Sequence, residues 1–142
     1  MKKFVLLFWV FSFFSAGVAL AQNDTKVTGD TLKIQADTTS QGDSLSYELV
    51  IFDTGFDSWF LSVRKPEWYY DQTYLENWNQ QLVTEWNTLY SSGSYRTDCY
   101  PETYLDYDNT INYGKDLNYK LYYYFRYMQE KCHIFSNAPA RW

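Results

Sequence analysis

The sequence predicts a small single α+β domain, in which two main helices pack on a short sheet in the order strand, helix, strand, helix. Three observations carry this prediction. Residues 47–52 (YELVIF) are β-branched and aromatic, as in a strand, whereas residues 73–93 and 116–131 repeat their apolar side chains at helical spacing. Aromatic residues make up 22% of the 142 residues and charged residues 20%, so the chain can bury a core and is not disordered throughout.

Residues 1–21 have the pattern of a secretory signal peptide. Lys2 and Lys3 precede an apolar run at 4–14, and Ala19-Leu20-Ala21 matches the small-x-small cleavage site. The run is too short for a comfortable membrane span. We therefore expect cleavage after Ala21, an exported protein in the periplasm or outside the cell, and no stable membrane span in the mature protein. An uncleaved N-terminal anchor is the alternative.

Residues 22–44 are predicted to be a flexible tether. Their only sizeable apolar side chains are Val27, Leu32 and Ile34, too few to offset the entropy lost on ordering the segment. A short strand around residues 31–35 is the other reading of this stretch. The folded domain is then expected at residues 45–142, a length that supports one modest core.

The first elements of the domain are a strand and an ambiguous segment. Strand 47–52 is followed by Asp53-Thr54-Gly55, a typical turn. Residues 56–63 fit either a short helix or a second strand. Lys65-Pro66 then marks a boundary, because proline disfavours helical conformation in the residue before it.

The first main helix is the strongest element. Thr73 and Glu76 have the spacing of a capping box, and Gly93 is placed to end the helix. The following side chains form its apolar stripe: Leu75, Trp78, Leu82, Val83, Trp86, Leu89 and Tyr90.

The rest of the chain predicts an edge strand and the second main helix. Residues 104–108 alternate weakly in polarity, and Leu117, Leu121, Tyr124 and Met128 share one side of helix 116–131. If the two predicted strands are neighbours, the long connection between them would make them parallel.

Three stretches resemble a family of small exported Bacteroidota proteins of unknown function: YELVIFDTGFDSWFLS, YLENWNQQLVTEWN and INYGKDLNYKLYYYF. The resemblance spans most of residues 47–126, and ENWNQQLVTEWN is its most specific part. It implies a single domain behind a signal or lipoprotein peptide. It implies no activity and no catalytic residues.

Charge and composition exclude several functions. Twelve basic and 17 acidic residues give a net charge of −5, which repels nucleic acid and anionic lipid. A single histidine, His133, cannot supply a two-histidine zinc site. Cys99 and Cys132 lack paired metal-ligand spacing, and no phosphate-binding loop is present, so we expect no metal and no cofactor. In an exported chain these two cysteines instead predict one disulfide, with two free thiols as the alternative.

Two acidic motifs keep an enzymatic alternative open. Asp53-Thr54-Gly55 behind a hydrophobic run resembles the loop of an aspartic protease, although Phe56 stands where a small residue is usual. The carboxylates Asp57, Glu67 and Asp71 could line a hydrolase cleft. Short motifs of this kind often match by chance, so a strand-ending turn and a solvated acidic surface are the simpler interpretations.

The aromatic excess favours an interaction module instead of an enzyme. Tyr119, Tyr123 and Tyr127 form a stripe opposite the core side of the second main helix, and Trp59, Trp68 and Tyr69-Tyr70 could extend it. Tyrosine gives a large contact area at low entropic cost. We therefore expect a non-enzymatic module whose aromatic face binds an envelope protein or a glycan. The alternative is that the helix lies between two layers and buries the stripe.

Overall fold

The computed structural model describes residues 32–37, 46–93 and 99–142. It contains strands β1 (Leu32–Asp37) and β2 (Ser46–Ile51) and helices α1 (Thr54–Val63), α2 (Gln72–Ser92) and α3 (Lys115–Cys132). A short 3-10 helix, Glu67–Tyr69, lies between α1 and α2. The predicted α+β class is confirmed. Residues 1–31 and 38–45, with the predicted signal peptide and most of the predicted tether, lie outside the described residues.

The sheet is an antiparallel pair of β1 and β2. The parallel pairing considered for residues 47–52 and 104–108 does not arise, because residues 104–108 form no strand. Leu32 lies opposite Ile51 and Asp37 opposite Ser46. The first strand falls inside the segment predicted to be a tether, at the position of the alternative short strand. Burial explains the pairing, because β1 and β2 each place one leucine, Leu32 and Leu49, in the core.

Residues 104–108 do not form the expected edge strand. The side chain of Asn87 on α2 instead satisfies both main-chain groups of Leu105: its amide nitrogen donates to the Leu105 carbonyl, and its oxygen accepts from the Leu105 N–H, both at 2.9 Å. Leu105 is buried at this contact. The Asn87 side chain thus supplies the hydrogen bonds that a neighbouring strand would otherwise make to Leu105.

Helix α2 keeps its predicted end but not its predicted start. Asp71 is the N-cap residue and α2 begins at Gln72, so the capping box at Thr73 is wrong. The Asp71 side chain makes no capping hydrogen bond. At the other end Gly93 adopts the left-handed conformation, φ 59°, as predicted.

Helix α3 is the centre of the domain because other helices cover it on two sides. On one side it packs against α2, where Trp86 contacts the rings of Tyr124 and Phe125. On the other side lies α1, whose Phe56 contacts Tyr124 and Tyr127. The ambiguous segment 56–63 thus belongs to helix α1. Helices α1 and α2 together bury α3 around almost its whole circumference.

A disulfide joins Cys99 to Cys132, with 5.4 Å between the two Cα atoms, as predicted. It ties the segment after α2 to the last residue of α3. Across a separation of 33 residues, the chain-entropy model gives about 3.7 kcal/mol of stabilisation. Within the described residues, no helix combines the length and the apolar character needed to cross a bilayer.

Candidate functional site

The tyrosine stripe of α3 is buried, so the aromatic surface that we expected there is absent. Tyr119, Tyr123 and Tyr127 expose 3%, 0% and 9% of their surface. The physical reason is α1, which lays Phe60 against Tyr119 and Tyr123 and Trp59 against Tyr127. This arrangement matches the alternative in which the helix lies between two layers and the stripe is buried.

The two tryptophans predicted to extend the stripe have different environments. Trp59 is partly buried, and its indole N–H donates to Glu130 at 3.1 Å. Trp68 is 78% exposed. Of the candidate aromatic residues, Trp68 therefore has the side chain most available to a ligand.

Two of the buried tyrosines position the segment that carries Trp68. The Tyr119 hydroxyl donates to the carbonyl oxygen of Lys65, and the Lys65 N–H donates to the Tyr123 hydroxyl at 2.8 Å. Pro66 follows with φ −57° and is the N-cap residue of the 3-10 helix. The connection between α1 and α2 is thus held on α3 from beneath, and its aromatic side chains are presented outward.

This connection and residues 141–142 border an open cavity of about 380 Å³, here called the Tyr69 pocket. Its walls combine aromatic and charged side chains. The lining residues are Lys65, Tyr69, Tyr70, Asp71, Tyr74, Arg141 and Trp142.

The aromatic wall of the Tyr69 pocket is partly open to solvent. Tyr69 is 54% exposed and Tyr74 37% exposed, and the Trp68 ring lies 6.5 Å from that of Tyr69. Tyr70 stacks on Tyr74 with 5.7 Å between ring centroids, and its own ring is buried. Rigid rings fixed by their neighbours provide a preorganised apolar surface.

Lys65 is held at the edge of these rings. Its ammonium nitrogen lies 4.2 Å from the Tyr69 ring centroid and 3.1 Å from the main-chain oxygen of Trp142. Asp71 and Arg141 are both exposed at the same cavity. The pocket therefore offers hydrogen-bonding groups of both charges beside an aromatic wall.

Burial raises the pKa of the tyrosines behind the pocket. For Tyr119, burial and then the neighbouring Tyr123 hydroxyl raise the pKa to about 12. The pKa of Tyr70 is also raised well above 10, first by burial and then by the adjacent Tyr123. At neutral pH these side chains are uncharged, which makes them packing and positioning groups and not acids or bases.

A larger groove of about 920 Å³ lies between α2 and residues 104–109, and three of its polar side chains already bond to the protein's own main chain. Thr84 and Thr88 donate to main-chain carbonyls of their own helix at 2.8 Å, and Asn87 is bonded to Leu105. Such groups have little hydrogen-bonding capacity left for a ligand. The smaller Tyr69 pocket is the better candidate site because aromatic side chains form much of its lining.

Asp53 caps α1. Its carboxylate accepts from the Gly55 N–H at 2.8 Å, the Tyr127 hydroxyl at 3.2 Å and the Lys131 ammonium at 3.3 Å. A Cβ on Gly55 would lie 2.7 Å from the Tyr127 hydroxyl, so the turn needs glycine for space. These contacts give the Asp-Thr-Gly motif a structural role at the strand–helix junction.

The charges around Asp53 stabilise its ionised form. Burial alone would raise its pKa, but the Gly55 N–H and the Lys131 ammonium outweigh burial and lower the pKa below 3.8. The pKa of Lys131 is raised, chiefly by its hydrogen bond with Tyr127. Such a pair of opposite shifts indicates an ion pair, whereas a catalytic acid needs a raised carboxyl pKa.

The other acidic candidates lie on separate elements. Asp57 is in the first turn of α1, Glu67 begins the 3-10 helix and Asp71 is the N-cap of α2, and all three are exposed. Only Asp71 lines the Tyr69 pocket. The part of the chain that the structure describes contains no group of three His, Cys, Asp or Glu side chains able to hold a metal.

Several pocket residues were not found from the sequence. Lys65 appeared only as a boundary residue and Tyr74 as part of a helix, although the run Trp68-Tyr69-Tyr70 after Pro66 was a usable signal. Arg141 and Trp142 carried no signal, because they reach the pocket only through the path of the chain after α3.

A family model described as a family of unknown function (DUF6146) matches residues 4–138, nearly the whole chain. No curated protein and no solved structure matches.

Proposed function

We propose that this chain, which belongs to the DUF6146 family, is an exported carbohydrate-binding domain with the Tyr69 pocket as its binding site. The observation that carries the proposal is the pair of partly exposed rings that line this cavity, Tyr69 and Tyr74, beside charged side chains, with the exposed Trp68 ring next to Tyr69. The tyrosine stripe of α3 supports the site from below and does not contact the ligand.

The chemistry of a sugar matches these walls. A pyranose ring has apolar C–H faces, which pack on aromatic rings, and hydroxyl groups around its edge, which need hydrogen-bonding partners. The cavity of about 380 Å³ is within the usual range for small-ligand sites. Asp71 can accept hydrogen bonds from hydroxyl groups, and Arg141 can donate them.

A carbohydrate fits better than a protein partner. The centres of protein interfaces are depleted of lysine and aspartate, yet Lys65 and Asp71 line this cavity. A concave pocket of this size also favours a small rigid group over a flat protein surface.

Binding without cleavage is the mode that the lining supports. Glycoside hydrolysis uses two carboxyl groups on either side of the scissile bond. The lining of the Tyr69 pocket includes one carboxylate, Asp71. The aspartic-type and acidic-cluster hydrolases therefore remain a weaker alternative.

Export is part of the proposal. The apolar run and the cleavage motif at Ala19-Leu20-Ala21 support it, and so does the disulfide, because such bonds persist in oxidising compartments. In the periplasm or outside the cell, the protein would meet polysaccharides directly.

The proposal is tested with an array of neutral and acidic oligosaccharides, followed by calorimetric titration of the best binder. Tyr69→Ala should weaken binding at least tenfold, since central aromatic contacts contribute about 2 kcal/mol or more. Trp68→Ala removes a ring beside Tyr69 that does not line the cavity, and should weaken binding by a smaller factor. Thermal stability should hardly change, because both rings are largely exposed.

Tyr104→Ala is the matched control. Tyr104 is 59% exposed, like Tyr69, but does not line the Tyr69 pocket. Its loss should leave binding unchanged. If no oligosaccharide binds, or if Trp68→Ala and Tyr69→Ala bind as well as the unchanged protein, the proposal is wrong.

A further inference from the structure

We infer that the Tyr69 pocket selects acidic saccharides and binds the sugar carboxylate at Arg141, beside Lys65. This inference rests on the proposed carbohydrate-binding function and names the class of sugar. It comes from the charged side chains that line the cavity, of which Lys65 and Arg141 are basic and Asp71 is acidic.

The sign of this charge is unusual for the molecule. The side chains of the whole chain carry a net charge of −5, whereas two of the three charged side chains that line the pocket are basic. Two basic side chains at one cavity of an acidic protein attract anions there, while the rest of the surface repels them. The charge therefore favours a ligand whose anionic group enters the pocket.

Lys65 is positioned and only partly used. One hydrogen bond goes to the main-chain oxygen of Trp142, and the ammonium also contacts the face of Tyr69. An ammonium has three donors, so donor capacity remains for a ligand. Its place is fixed through the main chain by Tyr119 and Tyr123.

Arg141 supplies the directional contact. Its side chain is exposed at the cavity, and no ion pair within the described residues involves it. The planar guanidinium can donate two parallel hydrogen bonds to one carboxylate. A uronic acid has both a carboxylate and an apolar ring face, so it can engage Arg141 while its ring packs on Tyr69 or Trp68.

The test uses matched pairs of ligands: fragments of polygalacturonate and of polymannuronate, each compared with its methyl ester. The ester keeps the sugar ring and removes the charge. Calorimetric titration at low salt should show the acid form binding about tenfold more tightly than its ester, the scale of one charge-assisted hydrogen bond. Arg141→Gln should abolish this difference, because it weakens binding of the acid form much more than binding of the ester.

Arg64→Gln is the control, since Arg64 is exposed near the pocket but does not line it. This variant should keep the preference for the acid. If acid and ester bind equally, or if only neutral sugars bind, selectivity for acidic saccharides is wrong and carbohydrate binding stands. If no saccharide binds at all, both proposals fail.

Discussion

The carboxylate of Asp53 accepts hydrogen bonds from three donors that belong to two helices. The Gly55 N–H comes from the first turn of α1, and the Tyr127 hydroxyl and the Lys131 ammonium come from α3. One side chain therefore starts a helix and attaches it to the central helix. A protease motif and a helix cap look alike in sequence because both place aspartate before a glycine that needs space.

Asp53→Asn separates these two roles. Asparagine caps helices about as well as aspartate, so only the partly exposed ion pair with Lys131 is lost. We expect a loss of at most about 1 kcal/mol in the free energy of unfolding at pH 7. Asp53→Ala removes the cap as well and should cost about 1–2 kcal/mol. Urea unfolding measures both.

The ionisation of Asp53 also predicts how the stability of the domain changes with pH. The pKa of Asp53 is lower in the folded protein than its ordinary value of 3.8. The stability from the charged form is therefore present above pH 3.8 and is lost as the pH falls through the lower folded pKa. The difference between the unchanged protein and Asp53→Asn should vanish in acid. A gap that persists there would contradict this account.

At the scale of elements, α1 decides whether α3 has a free face. The apolar side chains of α1 cover the tyrosine stripe, and the Lys65 main chain covers two of its hydroxyl groups. Segment 56–63 was too short for its pattern to separate helix from strand, so the sequence could not show what would cover the stripe. The longer helices α2 and α3 were predictable because their apolar spacing repeats over several turns.

Substitutions of Tyr123 test whether α1 buries the tyrosine stripe. Its side chain belongs to α3 and is completely buried, with its ring against Phe60 of α1. Tyr123→Ala should cost about 3 kcal/mol or more in unfolding free energy, because it leaves a large cavity. Tyr123→Phe keeps the ring but leaves the Lys65 N–H without its acceptor, a cost of about 1–3 kcal/mol. Thermal and urea unfolding measure both losses.

Trp68→Ala is the reference for the Tyr123 variants. It removes a larger ring from an exposed position and should change stability by no more than about 0.5 kcal/mol. A Tyr123→Ala protein as stable as Trp68→Ala would show that the stripe is not part of the core.

For the whole molecule, the features that depend on local sequence patterns were predicted, whereas those that depend on the pairing of distant segments were not. The α+β class, helices α2 and α3 and the disulfide followed from composition, spacing and cysteine count. The antiparallel partner of β2 lay in a polar stretch where Leu32 and Ile34 gain burial only after pairing, which a local pattern does not reveal. The Tyr69 pocket was equally hidden, because it joins the α1–α2 connection to the chain after α3.

Aromatic packing at the scale of the domain predicts a steep loss of stability in alkali. Burial is the main cause that raises the pKa of Tyr119 to about 12 and the pKa values of Tyr70, Tyr107 and Tyr122 further. In the unfolded chain these groups ionise near pH 10. Their contribution to stability is therefore complete below pH 10 and is lost as the pH rises towards the folded pKa values.

Helix content and tyrosinate absorbance, followed together against pH, measure this loss. We expect the part of the tyrosinate signal that comes from buried rings to rise together with the loss of helix in one cooperative transition above pH 10, because the buried tyrosines ionise only when the domain unfolds. Tyr122→Phe should move the midpoint to higher pH, since it removes an ionisable group that is fully buried and bonded only to Tyr74 among the described residues. If these tyrosines ionised near pH 10 while the helices stayed intact, water would reach the rings around α3, and the core would not be the closed aromatic layer that positions Lys65 and the Tyr69 pocket.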